Sequence, residues 1–153
     1  KEPANSGGPR VLLTGSTLAL GDYKILELVE AAGAAIVIEE FAEGLRHYWE
    51  QVKVDGDLME ALADRYFRRR EPPAWFRPSR ERIDFVIKLA KDFRVDRVLW
   101  YQLMYRDSYD IQSYYFEKVL RKELDIPMLK LESDYDVSER GPFRTRIETF
   151  IEI

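Results

Sequence analysis

The segment from Arg97 to Ile153 alternates twice between a short apolar run and a longer amphipathic one, and this alternation narrows the fold more than any other feature. RVLWYQL breaks at the polar corner MYRDSY, IQSYYFEKVLRKEL carries a helical period, MLKLES follows after Pro127, and GPFRTRIETFIE closes the chain. Strands that alternate with helices of this length form a parallel sheet covered on both faces, because a parallel pair needs a crossover connection.

The first third repeats the theme. Val11–Thr14 is a short apolar run stopped by Gly15 and Ser16, Ile25, Val29 and Ala32 share a helical face that Asp22 can cap and Gly33 ends, and Ala35–Ile38 is a second apolar run. The spacing predicts a right-handed βαβ unit. From Glu39 to Pro78 the alternation stops. Asp57 is spaced to cap a helix with Leu58, Leu62 and Tyr66 on one side, and REPPAWFRPS cannot continue it, which makes this stretch a helical, Pro-containing insertion. Ser79 can cap a helix in which Ile83, Ile87, Ala90 and Phe93 align. The next helix starts at Ser108 or Asp110 and turns Tyr115, Val119 and Leu120 inward, and Ile126–Glu132 is the fourth strand. In the last helix Phe143, Ile147, Phe150 and Ile151 face the core, and Arg144, Glu148 and Glu152 are spaced for ion pairing on the surface. The expected fold is therefore α/β, a four-stranded, parallel, doubly wound sheet of flavodoxin-like or Rossmann-like type, in a single domain over residues 10–153. Residues 1–9 (KEPANSGGP) read as a linker. With no initiator Met and a final helix that runs to Ile153, the chain reads as the carboxy-terminal domain of a longer subunit.

Composition narrows the chemistry. There is no cysteine, which removes disulfides, thiolate metal sites and cysteine nucleophiles from this chain. A net charge of -4 argues against a nucleic-acid footprint, and no apolar run is long enough to span a membrane, so a cytoplasmic protein is expected.

In a doubly wound sheet ligands sit beyond the carboxyl ends of the strands, which directs attention to Gly15–Thr17, Glu39–Phe41, Gln102–Asp107 and Ser133–Tyr135. Gly15 and Gly21 are not spaced as a dinucleotide-binding fingerprint, so the loop between them is a tight turn or a general anion site. Arg106 either pairs with Asp107 or meets a carboxylate, thioester oxygen or phosphate, with Gln102 adding a neutral hydrogen bond. Ser16 and Ser133 face the same crevice. Glu39 and Glu40 are neighbours on a strand and point to opposite faces, so they do not form an acid and base pair. His47, the one histidine, lies in an aromatic, charged stretch that suggests packing. Arg65, Arg68, Arg69, Arg70, Arg77, Arg80 and Arg82 form the densest basic region, either a solvated face or a cradle for the phosphates of coenzyme A, with Arg68, Arg69 and Arg77 as the contacts and Trp75 or Phe76 stacking on the adenine.

The order of RVLLTGS, ILELVEAAGAAIV, Gly44-Leu45-Arg46, the Tyr105-Arg106-Asp107 corner and Gly141-x-x-x-Thr145-Arg146-Ile147-Glu148-x-Phe150 resembles the carboxy-terminal domain of subunits in the 2-hydroxyacyl-CoA dehydratase and benzoyl-CoA reductase family. The resemblance implies a subunit of two such domains that pairs with a related subunit to bind acyl-CoA. It also implies an iron–sulfur cluster in the complex and an ATP-dependent activator protein that injects electrons, for loss of water from a 2-hydroxyacyl-CoA or reduction of an aromatic ring. Arg106 stands where that family usually places a cluster-holding cysteine, and Phe41-Ala42 and Pro73-Ala74 stand near two other frequent cysteines. Any cysteine ligands are then expected from a missing amino-terminal domain or the partner. A cluster-free acyl-CoA-binding or assembly subunit, or an unrelated nucleotide-binding module, are the alternatives.

Overall fold

A computed structural model describes residues 7–69 and 80–153. Four parallel strands, β1 (Arg10–Gly15), β2 (Ala35–Glu40), β3 (Arg97–Leu103) and β4 (Met128–Ser133), lie in the order β2-β1-β3-β4. The crossovers are α1 (Lys24–Ala31) between β1 and β2, α4 (Arg80–Asp92) before β3, and α5 (Asp107–Leu124) between β3 and β4; α6 (Arg140–Glu152) ends the chain. The short α2 (Leu45–Tyr48) and α3 (Leu58–Ala63), the latter running into a π turn over Asp64–Arg68, fill the insertion after β2. The expected α/β sandwich is observed.

Alternation along the strands divides the core into two layers. Val11, Leu13, Leu99, Tyr101 and Leu131 meet Ile25, Leu28 and Val29 of α1 and Phe143, Ile147, Phe150 and Ile151 of α6. Leu12, Val98 and Trp100 meet Ile83, Val86, Leu89 and Ala90 of α4 and Phe116 and Leu120 of α5. A register shift between Val11 and Leu12 inserts one extra residue of β2, so Ile36 packs in the first layer and Ile38 in the second.

Several local expectations need correction. β1 and β2 each reach further than the apolar runs, to Gly15 and Glu40, because backbone pairing continues through polar residues whose side chains find buried partners. α1 starts at Lys24 with no side-chain cap; Asp22 instead accepts a hydrogen bond from the Tyr101 hydroxyl at 2.7 Å. α5 starts at Asp107, and this phase buries Tyr109, Gln112, Ser113, Phe116 and Leu120, leaving Tyr115 half exposed. Asp57 does cap α3, accepting from the backbone N–H of Met59 and Glu60 at 2.8 and 2.9 Å, but Leu58, Leu62 and Tyr66 are exposed. The proposed cap Ser79 and the Pro-rich loop with Trp75 and Phe76 lie outside the described residues, as do positions 1–6 of the linker.

Candidate functional site

The sheet order makes β1 and β3 diverge in their connections, α1 leading to β2 on one side and α5 to β4 on the other, so their carboxyl ends bound the crevice where such folds bind ligands. Gly15 adopts φ 135°, and a Cβ there would stand 1.7 Å from the Tyr101 carbonyl oxygen. Only glycine lets β1 end this close to β3. Ser16 follows, its N–H donating to that same carbonyl at 3.0 Å and its hydroxyl accepting from the Leu103 N–H at 3.1 Å. The Met104 N–H donates to the Ser133 carbonyl at 2.9 Å, so the end of β3 is tied to both neighbours. Tyr105 and Tyr135, each two residues beyond the end of its strand, β3 and β4, have φ of 62° and 74°. Bulky side chains rarely adopt this left-handed backbone, and such strain concentrates at ligand sites.

Beside this edge lies a cleft of about 550 Å³ whose walls include Leu20, Tyr23, Lys24, Tyr135, Val137 and Arg140. Its floor is polar. The Lys24 ammonium donates to the Ser133 hydroxyl at 2.7 Å and pairs with Glu139 at 2.9 Å, and Ser133 donates to Glu139 at 2.5 Å. Burial pushes the Tyr101 phenol well above its ordinary range, and acceptance by Asp22 adds to the effect, so this hydroxyl stays a proton donor. Leu20 and Val137 are almost fully exposed and Tyr23 and Tyr135 about half exposed, giving the polar floor an apolar rim. Sequence reasoning named Ser133 but missed Lys24, Glu139 and Tyr101. The spacing of Lys24 and Leu28, both on the buried face of α1, was the available signal.

The other sequence-derived candidates fall out differently. Arg106 and Asp107 are both exposed and no ion pair joins them; Tyr105, just before them, makes a left-handed turn. The expected half-buried arginine with a neighbouring carboxylate is therefore not what the chain forms. Gln102 is buried on the opposite face of the sheet, where it accepts from the Trp100 indole at 2.8 Å and donates to Glu132 at 2.7 Å, so both ends of its amide have a partner away from the crevice. Arg68 is exposed and 3.7 Å from Glu60; Arg69 pairs with Asp64 at 2.7 Å and Glu50 at 3.5 Å. Arg77 lies outside the described residues. Glu39 and Glu40 do face opposite ways. Glu39 accepts from the backbone N–H of Phe41 and Leu45 at 2.8 and 2.5 Å, and burial pushes its carboxyl up from the ordinary value.

Glu40 is the centre of a buried network that sequence reading did not find. It is fully buried, 2.7 Å from Arg46 and 2.9 Å from Arg82, and it accepts from the Thr14 hydroxyl at 2.6 Å. Arg82 also donates to the Gly15 carbonyl at 3.0 Å and to Gln112 at 2.7 Å, with its guanidinium about 5 to 6 Å from the ring centres of Trp100, Tyr109 and Phe116. These bonds fix the end of β1 from below. His47 packs edge-on against Tyr48 and beside Tyr66, as a packing residue does.

The whole chain, residues 1–153, matches the sequence profile of the 2-hydroxyglutaryl-CoA dehydratase D-component family. The chain belongs to this family. It is 28% identical over 145 residues to a putative dehydratase subunit, YjiM, of Escherichia coli (strain K12), and 26% identical over 151 residues to the (R)-phenyllactyl-CoA dehydratase beta subunit of Clostridium sporogenes. These matches take in 95% and 99% of this chain but 37% and 39% of the relatives, so this D-component chain spans well under half of their length. An iron–sulfur cluster, which the resemblance implied, does not fit the donors of this D-component domain. It has no thiolate, an arginine stands at the corner after β3, and no group of three metal-binding side chains occurs among the described residues.

Proposed function

We propose that this chain is the acyl-CoA-binding and subunit-assembly domain of a 2-hydroxyacyl-CoA dehydratase or a benzoyl-CoA reductase type enzyme, with the carboxyl edge of the sheet as the thioester site. The observation that carries this reading is the combination at that edge of a cleft large enough for a ligand, an apolar rim, a buried proton-donating floor and two strained tyrosine corners. Lys24, in the cleft lining, turns its longest bond, to the Asp136 carbonyl at 3.3 Å, toward an oxygen of a bound thioester, while the rim residues Leu20, Tyr23 and Val137 cover an acyl or pantetheine chain. Arg106, exposed and without a carboxylate partner among the described residues, meets an anionic group of the ligand in this reading. Both relatives are named as dehydratase subunits, which supports pairing with a related subunit. The exposed apolar side chains of Leu58, Met59, Leu62 and Phe67 give such a partner surface to cover. Any cluster in the assembly, and the activator that would feed it electrons, act through residues outside this chain, which supplies no thiolate.

Replacing Arg106 by Gln tests the reading. A charge-assisted hydrogen bond contributes about 1.5–3 kcal/mol, so the affinity for 2-hydroxyglutaryl-CoA, measured calorimetrically, falls about tenfold or more. The melting temperature stays where it was, because the guanidinium holds no partner among the described residues. Unchanged affinity removes Arg106 from the site.

A further inference from the structure

α5 carries apolar side chains on both of its faces, and only one face is covered. Tyr109, Phe116 and Leu120 turn into the core, while Ile111, Tyr114 and Tyr115 on the other side are 62%, 54% and 52% exposed. A helix that packs on one layer ordinarily keeps its outer face polar. Here Asp107, Ile111, Tyr114 and Lys118 form an outward stripe with steps of four, three and four residues, the spacing of a seam between two packed helices. None of them lines the cleft beside the carboxyl edge.

The two ends of the stripe have opposite charge. Asp110 pairs with Lys130, Glu123 with Arg80 at 3.2 Å and Arg121 with Asp125 at 3.4 Å, but no ion pair holds Asp107 or Lys118 among the described residues. The Lys118 ammonium instead lies over the Tyr114 ring, 4.2 Å from its centre. Two copies of α5 set antiparallel, about a two-fold axis between Gln112 and Ser113, place Asp107 of each opposite Lys118 of the other. In the same register Ile111 meets Tyr114 twice, so two apolar layers are closed at either end by an ion pair. A parallel arrangement in register sets aspartate on aspartate and lysine on lysine, which like-charge repulsion disfavours. The stripe is thus complementary to itself, as the surface of a closed two-fold dimer must be.

We propose that the outer face of α5 is a self-association surface that takes a second copy of this chain, helix against antiparallel helix. It is separate from the exposed apolar side chains of α3, which carry no such matching of charge about a centre of symmetry. Three turns of helix bury less than a standard interface of about 1,200–2,000 Å², so the contact is transient, with a dissociation constant above about 1 μM. Tyr115, beside the seam, adds apolar area at its rim.

Sedimentation equilibrium of the chain, with circular dichroism to check folding, tests this through charge reversal. The unaltered chain is expected to dimerise reversibly. Asp107→Lys and Lys118→Asp each weaken the dimer about tenfold, since two exposed ion pairs give way to two repulsions. An equimolar mixture of the two variants associates as the unaltered chain does, because every aspartate then faces a lysine again. Tyr114→Ser weakens the dimer in any mixture, and this exposed position decides the matter should a charge variant fail to fold. A chain that stays monomeric up to about 1 mM overturns the proposal and leaves the face to a partner of other sequence. Self-association that neither reversal nor Tyr114→Ser weakens overturns it too, and assigns the contact to another face. A mixture no tighter than its separate components rules out the antiparallel register.

Discussion

Replacing Glu40 with Gln lowers the unfolding free energy of the chain by about 3–5 kcal/mol, the usual loss when one partner is removed from a buried ion pair. Glu40 is fully buried and is the carboxylate shared by Arg46 and Arg82, so the neutral amide leaves two buried guanidiniums facing each other. The loss also reaches the site. Arg82 donates to the Gly15 carbonyl, and a guanidinium that relaxes away from the introduced amide releases the end of β1. Exchanging Glu40, Arg46 and Arg82 together for apolar residues of similar size costs much less than the single change, since a buried ionic group replaced whole is often close to neutral. Urea unfolding of the single and triple variants checks both statements. A loss below about 1 kcal/mol for Glu40→Gln would show that the network contributes little, since even an exposed ion pair reaches that size.

The second large effect belongs to Gly15→Ala. The methyl group would fall 1.7 Å from the Tyr101 carbonyl oxygen and 2.6 Å from its carbon, both backbone atoms of the central strand β3, and φ 135° is unfavourable for alanine even without the clash. A strained dihedral alone costs roughly 1–3 kcal/mol, and displacing β1 from β3 adds to it. The Ser16 bonds to Tyr101 and Leu103 break with the same displacement. Thermal unfolding of this variant therefore shows a much lowered midpoint or no cooperative transition. A midpoint within a few degrees of the unaltered chain would mean that β1 and β3 approach each other less closely than this geometry requires.

Much of the architecture was legible because it rests on periodicity. The four apolar runs became the four strands, and Phe143, Ile147, Phe150 and Ile151 are the buried face of α6. The site was less legible because burial of a charge depends on what the other elements bring to it. Arg82 read as one of a basic run, yet it lies on the stripe of Val86, Leu89 and Ala90, and that phase was the sign that it points inward. Arg65 was hidden for a different reason: its partners are the carbonyls of His47 and Glu50, which no side-chain pattern reveals. Gln102 was assigned to the crevice from its place at the end of β3, but alternation puts it on the opposite face from Tyr101, which is the residue that reaches Asp22. Arg106 was expected half buried over the crevice, but it is exposed and follows a left-handed turn at Tyr105 that sequence does not announce for a tyrosine.

The thioester site proposed at the carboxyl edge is tested most directly by amide hydrogen exchange of the chain with and without 2-hydroxyglutaryl-CoA. Protection is expected in three separate stretches that meet only in the folded sheet, 16–24, 103–107 and 133–140, with no change along the opposite edge of the sheet at residues 94–97 and 125–128. Protection confined to that opposite edge, or a saturating ligand that leaves all three stretches unchanged, would contradict it.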